Sequence, residues 1–309
     1  MIRKLEFDHI KKQYSAIILI LYLIVTREKM DNNQFESLMP PEMAEKAAAA
    51  GAYKVNKSFF KTFMLAVTAG MQIGIAFIFY TTVTSGTAEV APGFSHFVGG
   101  LAFSLGLILV VVTGSELFTS STLVVVAKAS GLVTWGQLVK NWLQVYFGNF
   151  VGCILLVGIM LVAQQYMSDH GGIGLNAMHI AQHKMHHSFA SAVALGTMAN
   201  LLVCIAVWMS YAGRTLTDKM LILILPVAMF VSSGFEHSIA NMFQIPFAIG
   251  IKNFAPAEFW EMTHTTASQF ADLNMADFVI NNLIPVTIGN IIGGSVFVGL
   301  WFWSIYLRK

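Results

Sequence analysis

Apolar residues dominate six stretches of this 309-residue chain, and each stretch is about 20 residues long or longer. A helix of that length reaches across the hydrocarbon core of a bilayer, so six transmembrane crossings are predicted in an all-α membrane protein. Polar and charged residues concentrate between the stretches, as expected for loops outside the membrane. The predicted spans lie near residues 62–84, 95–126, 137–163, 188–211, 220–250 and 279–307.

The second and fifth spans are each interrupted by a glutamate close to a glycine, at Gly114-Ser115-Glu116 and Gly234-Phe235-Glu236. A carboxylate near the bilayer centre costs roughly 2.5–3.5 kcal/mol, so it must face protein or a water-filled path. Glycine lets the backbone leave the helix, which lipid tolerates only where the freed backbone groups line a cavity. The pattern predicts that helices 2 and 5 are broken and that the breaks form a passage for a small solute.

The two halves of the chain resemble each other helix by helix. Phe63-x-x-Ala66-Val67-x-x-Gly70 is matched by Phe189-x-x-Ala192-Val193-x-x-Gly196. Later in each half, Gly148-Asn149-x-x-Gly152 is matched by Gly289-Asn290-x-x-Gly293. Because each half has three crossings, the halves enter the membrane from opposite sides, which predicts an inverted repeat of residues 62–163 and 188–307. The glycines also suit close helix packing, which is compatible with a pore between the halves.

Composition and charge are those of a membrane protein. With 56% hydrophobic and 11% charged residues and a mean hydropathy of +0.67, the chain is too apolar for a soluble domain. Ten Lys and Arg residues border the spans on one side and only Lys184 and Lys252 on the other, so both termini are expected in the cytoplasm. No basic cluster or aromatic platform indicates a nucleic-acid partner. Cys153 and Cys204 lie within predicted spans and are expected to be reduced packing residues.

Residues 1–29 do not fit this pattern. Ser15 to Val25 is an apolar run of only eleven residues, too short to span a membrane, and it lacks the small-residue cleavage site of a signal peptide. We therefore expect residues 1–29 to be a dispensable extension and residues 30–309 to form a single membrane channel domain.

The breaks hold the candidate chemistry. His237 follows Glu236 and has two interpretations: it offers an N–H or a proton to a passing anion, or it is a neutral structural histidine bonded within the break. Thr119 follows the first break and either donates its hydroxyl to the solute or caps a helix. Glu116 and Glu236 are expected to cap free backbone N–H groups at the starts of the half-helices.

Other polar and apolar residues near the breaks are expected to support the passage. Asn200 and Asn290 lie in the fourth and sixth spans, where they are expected to hold loop backbone. Apolar constrictions that exclude water are a plausible use of large side chains close to the breaks, and packing within the core is the alternative. These large side chains are Phe103, Leu107, Leu117 and Phe230.

Histidines cluster on the predicted outer side, at His179, His183, His186 and His187 around Lys184. Some have the i, i+4 spacing of helical metal ligands, but no acidic ligand accompanies them nearby, so no metal site is expected. A cationic rim centred on Lys184 that attracts anions is favoured. An intramembrane metalloenzyme is disfavoured because no His-Glu-x-x-His motif occurs, and an aquaporin because neither break contains Asn-Pro-Ala.

Four segments resemble motifs of the formate/nitrite transporter family. Val111 to Ser120 and Gly196 to Ala206 resemble its two signature segments, and Gly234 to Met242 and Ile284 to Asn290 resemble its fifth- and sixth-helix motifs. The resemblance runs from about residue 30 to the end of the chain. It implies an aquaporin-like protomer with a pore through each subunit, assembled as a homopentamer.

The resemblance also implies roles for individual residues. His237 and Thr119 would contact the solute, with Asn200 and Asn290 supporting them, and Lys184 would sit near the outer vestibule. The implied constrictions are formed by Phe103, Leu107, Leu117 and Phe230.

The function expected from this resemblance is passive or proton-linked transport of formate across a bacterial inner membrane, without a cofactor or catalytic residue. Nitrite and hydrosulfide are alternative solutes, because the pore motifs are shared across the family. A carboxylate that enters an apolar gap must keep hydrogen bonds or become neutral. His237 therefore gives formate either a proton or only a hydrogen bond.

Overall fold

The computed structural model describes residues 36–87 and 89–308, and all regular structure in that part of the chain is helical. The all-α membrane class predicted from the apolar stretches is confirmed. The helices form one compact unit, Met39–Lys309. The extension expected at residues 1–29 lies outside the described residues.

Helices follow one another with short connections. In chain order they are α1 (Pro40–Val55), α2 (Phe59–Val83), α3 (Pro92–Thr113), α4 (Phe118–Ser121), α5 (Val124–Ala129), α6 (Trp135–Ala163), α7 (Gly172–Met185), α8 (Phe189–Ser210), α9 (Leu216–Ser232), α10 (Ser238–Phe254), α11 (Ala257–Thr263), α12 (Met275–Asp277), α13 (Ile284–Ile291) and α14 (Trp301–Tyr306). Wider π-helical turns, Phe278–Leu283 and Ile292–Leu300, connect the last three, and short 3₁₀ turns occupy Gln165–Met167 and Ala267–Phe270.

Within the described residues, five helices are long and apolar enough to cross a membrane. Four of them are α2, α3, α6 and α8, and the fifth is the helical run Ala267–Tyr306. A shorter apolar helix covers Phe118–Ala129. The fifth predicted span corresponds to α9 and α10, which have 17 residues each.

Serine hydroxyls cap the starts of two of the long helices, α2 and α8. Ser58 accepts a hydrogen bond from the Lys61 amide at the start of α2, and Ser188 accepts one from the Ser191 amide at the start of α8. Such caps occupy amides that have no partner within the helix. The two helices start alike because Ser58-Phe59 and Ser188-Phe189 are the same dipeptide at matching places in the two halves.

Glycine ends both helices that lead into the glutamate segments. Gly114 follows α3 with φ of 73°, and Gly234 follows α9 with φ of 69°. A residue with a Cβ is disfavoured in this left-handed region, so glycine is suited to both positions. Four residues separate α3 from α4 and five separate α9 from α10, and these connections carry Glu116, Glu236 and His237.

The helices pack in matching pairs. The most extensive contacts join α2 to α6, α8 to α13 and α3 to α9. Small residues allow the first two pairs to approach closely: a Cβ at Gly152 would overlap the Val67 carbonyl oxygen, and one at Gly289 would overlap the Val193 carbonyl oxygen. α3 and α9, packed against each other, therefore bring both glutamate-bearing connections into the centre of the unit.

Candidate functional site

A cavity of about 340 Å³ opens beside α7 and reaches the second glutamate-bearing connection. Its wall is mainly aromatic, with polar groups at the mouth and at the base. The aromatic residues are Phe77, Tyr80, Phe103, Phe230 and Phe235. The other lining residues are His96, His179, Ile180, His183, Lys184, Val231, Gly234, Glu236, His237 and Ala240.

His237 lies at the buried base of this cavity and is 3% exposed. Its Nδ1 accepts a hydrogen bond from the Ala240 amide at 3.1 Å, so it serves as the N-cap of α10. Its Nε2 lies 3.0 Å from the hydroxyl oxygen of Thr119. Because Nδ1 is an acceptor, the hydrogen-bond pattern assigns the proton of the neutral ring to Nε2, which donates to Thr119.

Thr119 lies in α4, directly after the first connection, and is fully buried. Its hydroxyl oxygen accepts from His237, so its own hydrogen is available for another acceptor. The Thr119 carbonyl oxygen accepts a hydrogen bond from Asn200 Nδ2 at 3.2 Å, and the same amide nitrogen donates to the Asn290 carbonyl oxygen at 2.6 Å. The structure thus brings together Thr119 and His237, which are 118 positions apart, and holds Thr119 through Asn200.

Aromatic rings narrow the cavity above His237. Phe103 and Phe230 pack edge to face with centroids 5.9 Å apart, and Phe77 packs edge to face on Phe103 at 5.6 Å. The Phe230 ring also stacks on the His237 imidazole, with centroids 5.9 Å apart. Leu107 and Leu117 are buried, at 3% and 0% exposure, and neither lines this cavity.

Two asparagines bind the free backbone groups of the connections. Asn149 Oδ1 accepts from the Phe118 amide, and its Nδ2 donates to the carbonyl oxygens of Ala66 and Glu116. In the matching place, Asn290 Oδ1 accepts from the Ser238 amide at 2.9 Å, and its Nδ2 donates to the carbonyl oxygens of Gly196 and Glu236. Each asparagine thereby satisfies backbone groups that would otherwise be buried without a partner.

The helix-capping role expected of Glu116 and Glu236 is wrong, because Asn149 and Asn290 occupy those amides. The carboxylates bind cations instead. Glu236 lies 2.8 Å from Lys184 Nζ, and Glu116 contacts both Lys54, at 2.9 Å, and Lys57. A buried carboxylate loses its hydration, and the paired ammonium groups offset part of this loss.

Side-chain amides complete the surroundings of Glu236. Asn241 Nδ2 donates to Glu236 Oε2 at 2.6 Å, and Asn282 Nδ2 lies 3.3 Å from the same oxygen. Asn282 also accepts from Asn241 at 2.7 Å and donates to the Lys184 carbonyl oxygen. Lys184 therefore lines the cavity with its charge already paired to a carboxylate. The rim expected to centre on Lys184 has no free cation at that residue.

The histidines of α7 divide between the cavity and the surface. His183 and His179 line the cavity, whereas His186 lies 2.8 Å from Asp272 and its side chain is 64% exposed. His187 packs edge to face on His183, with ring centroids 5.2 Å apart. In the part of the chain that the structure describes, no group of three or more His, Cys, Asp or Glu side chains is placed to hold a metal ion.

Several site residues were not singled out from the sequence. Asn149 is buried and Lys57 is half-buried beside Glu116, and Asn241 and Asn282 are buried beside Glu236. The repeat carried a usable signal for Asn149, because Gly148-Asn149 and Gly289-Asn290 match. Asn241 lies five positions after Glu236 within the segment Gly234 to Met242, whereas Lys57 and Asn282 reach their glutamates from separate parts of the chain.

Comparisons with known proteins find relatives that cover most of this chain. The chain matches the sequence model of the formate/nitrite transporter family over residues 41–304. It is 57% identical over 278 residues to the formate channel FocA of Escherichia coli K12, covering 90% of this chain and 98% of that protein. The formate channel FocA of Haemophilus influenzae is 46% identical over 273 residues, covering 88% of this chain and 95% of the relative.

Solved structures of two channels are also similar to this chain. A pentameric formate channel with formate bound matches with a TM-score of 0.78 and 64% identity, over 81% of this chain and 98% of that chain. An ion channel of the same family matches with a TM-score of 0.71 and 25% identity, over 85% of this chain and 98% of that chain.

Proposed function

The chain belongs to the formate/nitrite transporter family, and we propose that it carries formate across the bacterial inner membrane through a pore in each protomer. The observation that carries this proposal is the Thr119–His237 pair at the base of an aromatic cavity. It provides hydrogen-bond donors where a small anion must leave water. A pentameric relative with formate bound supports a homopentamer of such protomers.

The proposed topology has six crossings in two inverted halves, with helices 2 and 5 formed by α3 with α4–α5 and by α9 with α10. Both termini lie in the cytoplasm, following the excess of Lys and Arg on that side. The cavity beside α7 then opens to the outside, because α7 joins the third and fourth crossings. Matching hydrogen bonds of Asn149 and Asn290 support the inverted arrangement.

Formate loses most of its water when it passes the Phe103–Phe230 ring pair. Transfer of an ion into such surroundings is unfavourable unless hydrogen bonds replace the water. The Nε2–H of His237 and the hydroxyl of Thr119 are the donors placed to replace it. Formate thus takes the position of one partner in the Thr119–His237 hydrogen bond, and the bond closes again after the ion leaves.

The proposed form of His237 during passage is the neutral ring. A second proton would have to bind Nδ1, whose lone pair already accepts the Ala240 amide. Protonation would therefore remove the cap of α10, which disfavours it. This geometry supports hydrogen-bond donation to the anion over transfer of a proton from an imidazolium ion. Loss of the helix cap would accompany every proton transfer.

The remaining residues have supporting roles in the proposal. Leu107 and Leu117 form an apolar constriction on the cytoplasmic side of Thr119, where the described cavity does not reach. Asn200 and Asn290 hold the backbone on either side and do not contact formate, since both side chains are fully buried and bonded to main-chain groups.

The test uses proteoliposomes that contain the full chain. We expect formate uptake to fall about tenfold in Thr119→Val, because this variant removes the hydroxyl but keeps the shape of the side chain. Uptake should be largely retained in Thr119→Ser, which keeps the hydroxyl. Competition by nitrite and by hydrosulfide measures selectivity. If the channel prefers nitrite or hydrosulfide, that ion and not formate is the solute. An equal loss of formate uptake in both Thr119 variants would show that the hydroxyl has no part in the mechanism.

A further inference from the structure

The charge of the outer cavity does not come from Lys184. Its ammonium lies 2.8 Å from Glu236 Oε1, and this carboxylate is 1% exposed. The two opposite charges nearly cancel at the distance of a passing ion, so the pair adds little to the potential at the mouth. Any net positive potential at pH values near neutrality and below must come from other lining residues.

Besides Lys184 and the buried His237, three histidines supply ionisable nitrogen bases to the lining. His179 and His183 lie one turn apart on the same side of α7, and His96 reaches the cavity from α3. All three have exposed side chains. Imidazole is the side chain whose charge changes between about pH 5 and pH 8. The cavity therefore combines an aromatic wall with three bases that can each gain a proton in acid.

We propose that His96, His179 and His183 form an outer anion-capture subsite, which is neutral in alkaline solution and gains positive charge when the outside is acidified. Its ligand class is the small monovalent carboxylate. The proposal rests on formate transport as proposed above and adds a capture step before the ion reaches His237. Acid outside thereby increases entry of the anion without any movement of the helices.

The groups that face these histidines determine when they gain charge. The ionisable groups around them are Tyr80 from α2, Lys184, His186 and His187 from α7 and its end, and Glu236 and His237 from the connection before α10. Partial burial lowers the pKa of His183, and the charges of His187 and Lys184 lower it further, while Glu236 acts in the opposite direction. His183 therefore gains its proton at a lower pH than an ordinary imidazole does.

Formate itself remains an anion over the tested range, because carboxylic acids of this kind have a pKa of roughly 4. A rise in transport between pH 8 and pH 5.5 therefore reports on the channel. Clefts that carry charge of one sign raise the local concentration of the opposite ion by 10-fold or more. For a cavity open to solvent, we expect about a fivefold rise in formate conductance.

The experiment measures formate conductance of the full-length channel in planar bilayers, with one chamber acidified at a time. The quantity is the ratio of conductance at pH 5.5 to that of the same channel at pH 8. In the wild type we expect a ratio of about five when the α7 side is acidified. The combined variant His96→Gln, His179→Gln, His183→Gln should have a ratio near one. His186→Gln is the matched control, since His186 lies on the surface against Asp272, and it should keep the wild-type ratio.

The possible results distinguish failure of the capture subsite from failure of the proposed function. Equal ratios in the wild type and the combined variant overturn the capture subsite while leaving formate transport intact, since both channels retain His237. A wild-type channel that conducts no formate at either pH refutes the proposed function instead. If the combined variant does not fold, the wild type alone decides: about 1 M impermeant salt shortens the screening length to roughly 3 Å and should abolish the acid-induced rise. A rise that persists in this salt contradicts the proposal.

Discussion

In both connections the glutamate amide donates to a leucine carbonyl oxygen in the first long helix of its own half: Glu116 to Leu65 of α2 at 3.2 Å, and Glu236 to Leu195 of α8 at 3.3 Å. Each connection follows a glycine with positive φ, and each is held by one buried asparagine. The two differ at the residue directly after the glutamate, which is Leu117 in one and His237 in the other. One backbone arrangement therefore supports an apolar side chain in the first half and a hydrogen-bond donor in the second.

The cations that pair with the two glutamates differ as well. Glu116 has Lys54 from α1 and Lys57 from the loop after it, whereas Glu236 has Lys184 from α7 and the amides of two asparagines. The comparison shows that the repeated backbone geometry and the chemistry are separable. The asparagines and glycines maintain the geometry of both connections, and a few exchanged side chains give the two connections different chemistry.

Loss of the asparagine that binds the backbone of each connection should lower stability the most. Asn290→Ala leaves the buried Ser238 amide and Glu236 carbonyl oxygen without partners, which should cost about 3–5 kcal/mol in stability. Asn149→Ala should cost a similar amount, because its bonds are the same in kind. Thermal unfolding of both purified variants checks this. A loss in only one variant would contradict the equivalence of the two connections.

Removal of a lysine from each glutamate should lower stability by different amounts in the two halves. Lys184→Met removes the single lysine bonded to Glu236, and a buried carboxylate without a cation costs about 3 kcal/mol. Lys57→Met leaves Lys54 on Glu116 and should cost about 1 kcal/mol. Adding Glu236→Gln to Lys184→Met should restore much of the stability, since no charge is then left buried. Thermal unfolding without such recovery would show that Lys184 acts through packing alone.

Exchange of the differing residue tests the division of roles directly. His237→Leu gives the second connection the side chain of the first and should lower formate flux about tenfold, the worth of one lost hydrogen bond. His237→Asn retains an N–H donor and a residue suited to cap α10, so it should retain more of the flux. Flux assays at fixed protein content distinguish these outcomes. Equal flux in the Leu variant and the wild type would place the solute path elsewhere.

The smallest difference in stability is expected from variants at the starts of the two helices that precede the connections. Thr215 caps α9 by accepting from the Asp218 amide, whereas α3 begins after Ala91 without a side-chain cap. Thr215→Ala should therefore lower stability by about 1 kcal/mol, and Thr215→Ser should be nearly neutral. The melting temperature measures both. A larger loss would mean that Thr215 contributes more than the cap.

Some of this architecture follows from the sequence because the physical constraint is local. Apolar length predicts helices in a bilayer, and Gly114 and Gly234 mark points where the backbone must adopt positive φ. The pairing of Lys184 with Glu236 was not predicted, because 52 positions separate the two residues and only the fold brings them together. The glutamates were wrongly assigned as caps since a lone carboxylate in an apolar segment does not reveal its partner.

The π-helical turns at Phe278–Leu283 and Ile292–Leu300 also lack a sequence signal. Their apolar pattern is nearly that of an α-helix, because the two periods differ by less than one residue per turn. Asn290 lies in α13 between them, and the hydrogen bonds of its side chain are satisfied there. Only the coordinates show that the helix widens on both sides of this residue.

Attachment of His237 Nδ1 to the Ala240 amide has a consequence for the kinetics expected of the proposed pathway. Rotation of the imidazole would release a main-chain amide at the beginning of a helix, so the ring keeps one orientation while ions pass. A transporter cycle that depends on a reorienting side chain is thereby disfavoured. Permeation of this kind should be governed by dehydration and diffusion, with turnover that increases with concentration until occupancy of the pore becomes limiting.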